Sequence, residues 1–237
     1  MKHRPLNELQ PIWVASLVVL CFSAAAAKAP LRSVEPTLGV LYDDVLAKLG
    51  SGKTYVYVVP IETVSKAPPD DPASWNDCTQ SALPSEKGLT DAALINGAFR
   101  RLGLSVTYAQ SSSSCAAFNT RSFVLSGVPT VYVETEDFDP YGLLQRLRIP
   151  DTVLRARIQG QFTNGHDGAT KVMIGARMAS QIAPHPVLAE LDAGESAIFV
   201  EDGSDQPKLV AKLAPRQWKE LADYAAHKRK AGRKQAL

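Results

Sequence analysis

The sequence predicts an α/β protein, a three-layer α/β/α sandwich around a mostly parallel central sheet, and three observations predict it. Runs rich in β-branched and aromatic residues alternate along the chain with segments whose apolar residues recur every three or four positions. That alternation places helices on both faces of parallel strands. The last two apolar runs, Ser196–Val200 and Leu209–Leu213, are joined by turn-rich Glu201-Asp-Gly-Ser-Asp205 instead of a helix, so an antiparallel hairpin is expected near the end of the sheet. The chain has 237 residues, 45% hydrophobic and 21% charged, enough for a full core, and disordered, collagen-like and coiled-coil classes are excluded.

The elements follow in order. Leu38, Leu41, Val45 and Leu49 lie on one helical face, and the Gly50-Ser51-Gly52 break ends that helix. Thr54–Val59 is a β-branched and aromatic run, the first strand. A loop rich in Pro, Asp and Ser covers 64–87. Ala92, Leu94, Ile95, Ala98, Phe99 and Leu102 mark a second helix stopped by Gly103, with Leu104–Ala109 as the next strand. Ser111–Ser114 is a polar turn into a short helix over 115–126. Val128–Val133 is the third strand, and 140–162 is helical with a break at Pro150. Ala169–Ile174 is the fourth strand, and Trp218, Leu221, Ala222 and Ala225 share one face of a closing helix.

The amino-terminal segment has the composition of a secretory signal. Lys2 and Arg4 precede an apolar run from Ile12 to Ala27, and Ala24–Ala27 supplies small residues for a peptidase. A signal peptide over 1–27, a single domain over 28–237 and a periplasmic or secreted location are therefore expected. Cutting there removes Cys21 and leaves Cys78 and Cys115. Such a pair is a disulfide in an oxidising compartment and two buried thiols in the cytosol.

Net charge is +2, from 26 Lys and Arg against 24 Asp and Glu, too small for a nucleic-acid surface spread over the domain. Lys228, Arg229, Lys230, Arg233 and Lys234 crowd into a basic tail over 228–237. Two readings fit it: a weak contact with an anionic surface, or a solvated helix end whose cations suit the negative pole of the dipole.

Ligands of parallel sheets lie at the carboxyl ends of the strands. Here those tips are Val59–Thr63, Gln110–Ser114, Glu134–Glu136 and Gly175–Arg177. No histidine stands at any of them. His185 lies between two prolines and reads as loop, and His166 beside Asp167 reads as a surface turn or a base. No two histidines have zinc-site spacing, and neither a Walker loop nor a Gly-x-Gly-x-x-Gly occurs, so neither metal nor cofactor is expected. Around Ser111–Ser114 there is no Gly-x-Ser-x-Gly elbow.

At these tips the chain resembles the histidine phosphatase superfamily, which implies the phosphoglycerate-mutase-like fold. Tyr55-Val-Tyr-Val-Val-Pro-Ile-Glu-Thr63 is similar to the strand that ends in the family's Arg-His-(Gly or Ala)-Glu-Thr. Leu83, Gly88, Ala92, Ile95 and Ala98–Gly103 resemble its Leu-x-x-x-Gly helix. Ser111-Ser-Ser-Ser-Cys-Ala-Ala-Phe-Asn-Thr120 resembles its Ser-Ser-Pro-x-x-Arg segment, and Lys171–Ala176 the strand ending in Val-Gly-His. Gly194-Glu-Ser-Ala-Ile-Phe199 with Trp218 fits the closing part of secreted bacterial members.

The resemblance implies that Val59 and Ala116 stand where the family has phosphate-holding arginines, Pro60 where it has the nucleophilic histidine, and Ala176 where it has the second histidine. A nucleophile needs a lone pair, and a proline ring offers none. Each lost donor to a developing oxyanion costs about 3 kcal/mol of transition-state stabilisation. The expectation is a pseudoenzyme with a binding role toward a small molecule or protein. The remaining candidate contacts are Glu62, Thr63, Ser112, Ser113, Asn119 and Arg177. The alternative is a phosphoric monoester hydrolase with relocated chemistry, using His166 and Asp167 with the Asp70-Asp71 loop.

Overall fold

Apolar spacing and two glycines set the first elements. The computed structural model describes residues 38–51, 53–64, 78, 81–138, 148–163, 169–201, 203 and 206–235, all within one unit, Pro36–Leu237. Helix α1 spans Leu38–Leu49 and buries Tyr42, Val45 and Leu49. Strand β1, Lys53–Val58, follows, and a short pair, β2 (Thr63–Val64) and β3 (Leu83–Pro84), precedes helix α2, Glu86–Leu102. Helix α2 carries its own punctuation. The Ser85 hydroxyl accepts from the Gly88 N–H at its start, and Gly103 ends it in the left-handed region at φ 67°.

Strand β4, Val106–Ser111, leads into α3, Cys115–Val124, capped by the Ser114 hydroxyl, and then into β5, Val131–Glu134. After a 3₁₀ turn at Glu136–Phe138 come α4 (Asp151–Gln161), β6 (Ala169–Ile174) and a second 3₁₀ turn at Pro186–Ala189. Strands β7 (Ser196–Val200) and β8 (Lys208–Leu213) form the expected hairpin, and α5, Pro215–Gln235, closes the chain.

The six long strands form one sheet in the order β5-β4-β6-β1-β7-β8. The pairs β4·β5, β4·β6 and β1·β6 are parallel, while β1·β7 and β7·β8 are antiparallel. Each face of the sheet has its own core. On one face Val56, Val58, Ala109, Val172 and Ile174 pack against Ile95, Phe99, Trp218 and Leu221. On the other, Tyr55, Tyr57, Met173 and Phe199 pack against Leu154, Ile158 and Phe162. The structure is thus an α/β/α sandwich with a mostly parallel sheet. Trp218 is fully buried, stacks edge-on against Phe99 at 4.9 Å and donates its indole N–H to the Ser196 hydroxyl at 2.6 Å, so its polar tip is satisfied inside the core.

Several boundaries differ from the sequence expectation. The strand expected at Leu104–Ala109 runs from 106 to 111, because the left-handed turn at Gly103 uses the next two residues to swing the chain into the sheet. The strand expected at Val128–Val133 starts at 131, because Pro129 has no N–H for the ladder. His185, expected in plain loop, caps the 3₁₀ turn: its Nδ1 accepts from the Val187 N–H at 3.2 Å, and its ring packs edge-on against Phe199. The basic tail is helical through residue 235; Lys228 pairs with Asp43 at 2.6 Å, and Arg229 donates to the Arg101 carbonyl at 3.1 Å. The signal segment and the loops holding Asp70, Asp71, His166 and Asp167 lie outside the described residues.

Candidate functional site

Four parallel strands end on one side of the sheet, and backbone hydrogen bonds tie their tips together. The Gly175 N–H donates to the Val58 carbonyl at 3.2 Å, Ser112 to Ile174 at 2.9 Å and Thr135 to Ser111 at 2.9 Å. The Ile61 N–H reaches across to the Thr120 hydroxyl at 3.0 Å, joining the end of β1 to α3. The segments holding Val59, Pro60, Ala116 and Ala176 therefore gather at one edge.

At two of these positions the surroundings are apolar and the backbone is already bonded. Val59 is buried among Tyr57, Phe138 and Met178, and its backbone is bonded to Glu195 and Gly194. The Ala176 N–H donates to the Phe138 carbonyl at 3.1 Å, and its carbonyl accepts from the Tyr57 hydroxyl at 2.7 Å. Burial holds the Tyr57 phenol well above its ordinary range, so it remains a neutral donor. At Gly175 an added Cβ would lie 2.5 Å from the Phe138 Cβ and 2.7 Å from the Tyr57 hydroxyl, so only glycine lets β6 pass this close to the aromatic pair.

The six candidate contacts have the following surroundings. Glu62 is exposed and accepts from the Ser85 hydroxyl at 2.8 Å, while its carbonyl accepts from the Ser85 N–H at 2.9 Å. That contact needs Gly88, where a Cβ would fall 2.1 Å from the Glu62 carbonyl oxygen. Thr63 belongs to β2. Ser112 is buried with its hydroxyl 2.9 Å from that of Ser114, and Ser113 is exposed. Asn119 is a strut. Its amide donates to the carbonyls of Ala82 at 2.9 Å and Cys78 at 3.5 Å. Arg177 faces solvent beside Asp192 at 3.6 Å.

Cys78 and Cys115 form a disulfide, with their Cα atoms 4.9 Å apart. Together with Asn119 it fastens the chain before β3 to the first turn of α3.

Polar groups that the sequence reading passed over lie near the same edge. Arg121 donates to the Ser111 hydroxyl at 3.2 Å and stands 3.7 Å from Glu134. Beneath the sheet, Gln110 donates to Gln161 at 2.9 Å, Gln161 to Asp137 at 2.9 Å, and Arg157 pairs with Asp137 at 2.8 Å. The buried Lys171 ammonium donates to the Gln161 carbonyl at 2.9 Å and lies 5.5 Å from the Tyr108 ring centre, and burial pushes its pKa down to about 8. The bonds that Gln161 makes with Gln110 and Asp137 could not be read from spacing, because they join residues 51 and 24 positions apart.

Among the described residues no group of three or more His, Cys, Asp or Glu could hold a metal ion, and no helix is long and apolar enough to cross a membrane. A cavity of about 220 Å³ lies at the opposite, amino end of the strands, bordered by Leu46, Leu49, Leu102, Leu104, Thr170 and Arg229.

Compared with protein-family models the sequence has no match. Compared with curated proteins it has none either. Among solved structures the chain is similar to the protein histidine phosphatase SixA complexed with tungstate, at 14% identity and a TM-score of 0.48, over 69% of this chain and 98% of that one. A phosphohistidine phosphatase SixA homologue from Agrobacterium tumefaciens gives 12% and 0.45 over 69% and 98%. A phosphoserine phosphatase from Entamoeba histolytica gives 11% and 0.44 over the same shares. All three are histidine phosphatase superfamily members. The likeness is one of fold.

Proposed function

We propose that this chain is an exported, histidine-phosphatase-like protein without phosphoryl-transfer chemistry, acting as a ligand- or partner-binding module. One observation carries the reading. The positions that the sequence resemblance aligns with two arginines, the nucleophilic histidine and the second histidine are Val59, Ala116, Pro60 and Ala176, and their segments meet at one edge of the sheet. None of these side chains has a lone pair to attack phosphorus or a charge to hold phosphoryl oxygens. The fold does not depend on the missing groups, since replacing buried charges by hydrocarbon is often neutral or stabilising. Support for export comes from the signal-like residues 1–27 and from the Cys78–Cys115 bridge, which suits an oxidising compartment.

The test is turnover of p-nitrophenyl phosphate and of a phosphohistidine peptide, with calorimetric titration of orthophosphate alongside. Turnover no faster than buffer and no phosphate binding are expected. A trapped phosphoimidazole, or phosphate affinity on the order of micromolar, would overturn the reading. Mass spectrometry of the exported chain should find its first residue near Lys28, and an uncut chain would remove the export reading.

A further inference from the structure

At the amino end of the strands, the cavity of about 220 Å³ lies between the last turns of α1 and α2 and one side of α5. Its walls are Leu46, Leu49, Leu102, Leu104 and Ala225, of which Leu46, Leu102 and Leu104 are only partly buried, so apolar surface borders the space. Backbone groups on its sheet side are already used, the Thr170 N–H donating to the Ser105 carbonyl at 2.9 Å. Of the described residues that border it, Arg229 alone is charged, and it is exposed at the mouth. One of its N–H groups donates to the Arg101 carbonyl at 3.1 Å, and a guanidinium has five. The neighbouring cations are spent on carboxylates, Arg101 on Asp223 and Lys228 on Asp43, whereas Arg229 has no carboxylate partner among the described residues. Two helices end at this cavity, and a bare helix carboxyl end repels an anion. Here those ends are covered. The Lys48 carbonyl accepts from the Ser51 N–H and the Thr54 hydroxyl, that of Phe99 from Leu104, that of Arg100 from Gly103 and that of Arg101 from Arg229. Lys48, Arg100 and Arg101 also stand in those last turns and put positive charge beside the mouth.

We infer that this cavity binds a monocarboxylate with a short alkyl tail, the tail among the leucines and the carboxylate on Arg229. Size sets the tail. A dry cavity of about 150 Å³ holds benzene, so about 220 Å³ takes roughly nine non-hydrogen atoms, the size of octanoate with its carboxylate at the mouth. A much shorter acid leaves the leucines wet, and a long-chain acid leaves its own end in water. Charge sets the head. An amine meets Arg229 as a like charge, while a carboxylate pairs with the guanidinium fork through charge-assisted hydrogen bonds. Free acids and anionic lipids both present an anionic head on an alkyl chain, and the cavity favours the free acid because it is too small for a whole lipid chain. The site lies at the end of the sheet opposite Val59, Pro60, Ala116 and Ala176, so it does not rest on the proposed loss of phosphoryl transfer.

Calorimetric titration of octanoate into the full chain at pH 7 should give a dissociation constant on the order of 100 μM. Octan-1-ol and octylamine, which lack the negative head, should bind at least about tenfold more weakly. Arg229→Gln should weaken octanoate about tenfold and leave octan-1-ol unchanged, and Arg229→Lys should restore part of the loss. Position 229 is exposed, so both variants should melt with the wild type. Leu104→Trp, on a partly buried side chain, fills the cavity and should abolish binding of both ligands. Should it not fold, the two Arg229 variants still decide. Octanoate without effect up to about 5 mM, equal affinity for octanoate and octan-1-ol, or octanoate binding indifferent to Arg229→Gln would each overturn the proposal. Vesicles of equal parts phosphatidylglycerol and phosphatidylcholine separate the two sources. No octanoate-reversible cosedimentation is expected, and a fraction that octanoate releases would make a lipid the ligand and sink the free-acid reading.

Discussion

Lys171 is the sharpest test of how this sheet is packed. Its ammonium is buried on β6, facing the Gln161 carbonyl and the Tyr108 ring, and burial lowers its pKa from 10.5 to about 8. Between those values the unfolded chain keeps a proton that the folded chain releases, so stability rises with pH across that window. Below about 8 both states are protonated and the cost of the buried charge stands in full. At about 1.4 kcal/mol per pKa unit, that cost is on the order of 3 kcal/mol. Lys171→Met keeps the length and the stem but removes the charge. It also removes the donor to Gln161, worth about 1 kcal/mol, leaving an expected net gain of about 2 kcal/mol at pH 7. Urea unfolding of both proteins at pH 7, 8, 9 and 10 measures this. The wild type should gain stability above pH 8, and the variant should be flat there. Tyr55, pushed up to about 12 by burial, acts in the opposite sense and only above about pH 10, and it cancels in the difference. A variant less stable than wild type at pH 7, or parallel pH profiles from 8 to 10, would refute the reasoning.

Two further perturbations probe the candidate edge. Gly88→Ala puts a Cβ 2.1 Å from the Glu62 carbonyl oxygen, and since the clash is with backbone, a loss of about 3 kcal/mol is expected in urea unfolding; a loss under about 1 kcal/mol would mean that β2 and α2 part easily. Replacing Cys78 and Cys115 by Ser opens a bridge spanning 37 residues, for which loop entropy gives at most about 4 kcal/mol, and limited proteolysis should then cut first in the chain before β3. Unchanged stability and an unchanged digestion pattern would show that Asn119 alone fastens that segment.

Legibility along this chain followed the range of the interaction. Helix α2 could be read from its apolar spacing and from Gly103 at the required positive φ, while its start at Glu86, capped by Ser85, fell inside the loop expected over 64–87. Strand β6 could be read from its Val172-Met-Ile174 run and β-branched Thr170, although it is buried on both faces and holds Lys171 in its middle. The edges of β4 and β5 were misplaced by local features that mimic a strand, Leu104 and Val128, which stand outside the ladder on account of Gly103 and Pro129. Asn119 shows the same limit at the site. A polar side chain on the first turns of a helix near the strand tips looks like a ligand contact, yet its amide is used on the carbonyls of Cys78 and Ala82.

The bonds at the edge bear on the proposed separation of fold from chemistry. Tip-to-tip contact is made by backbone groups, Gly175 to Val58 and Ser112 to Ile174, and by side chains set back from the tips, Thr120 to Ile61 and Tyr57 to Ala176. None of these bonds uses the side chains of Val59, Pro60, Ala116 or Ala176. Those four positions can exchange charge for hydrocarbon without breaking a bond that holds the sheet, and each such exchange removes the cost of burying an ion. Under the proposed function, chemistry at such an edge is lost more easily than the edge, and the surface that is kept serves binding.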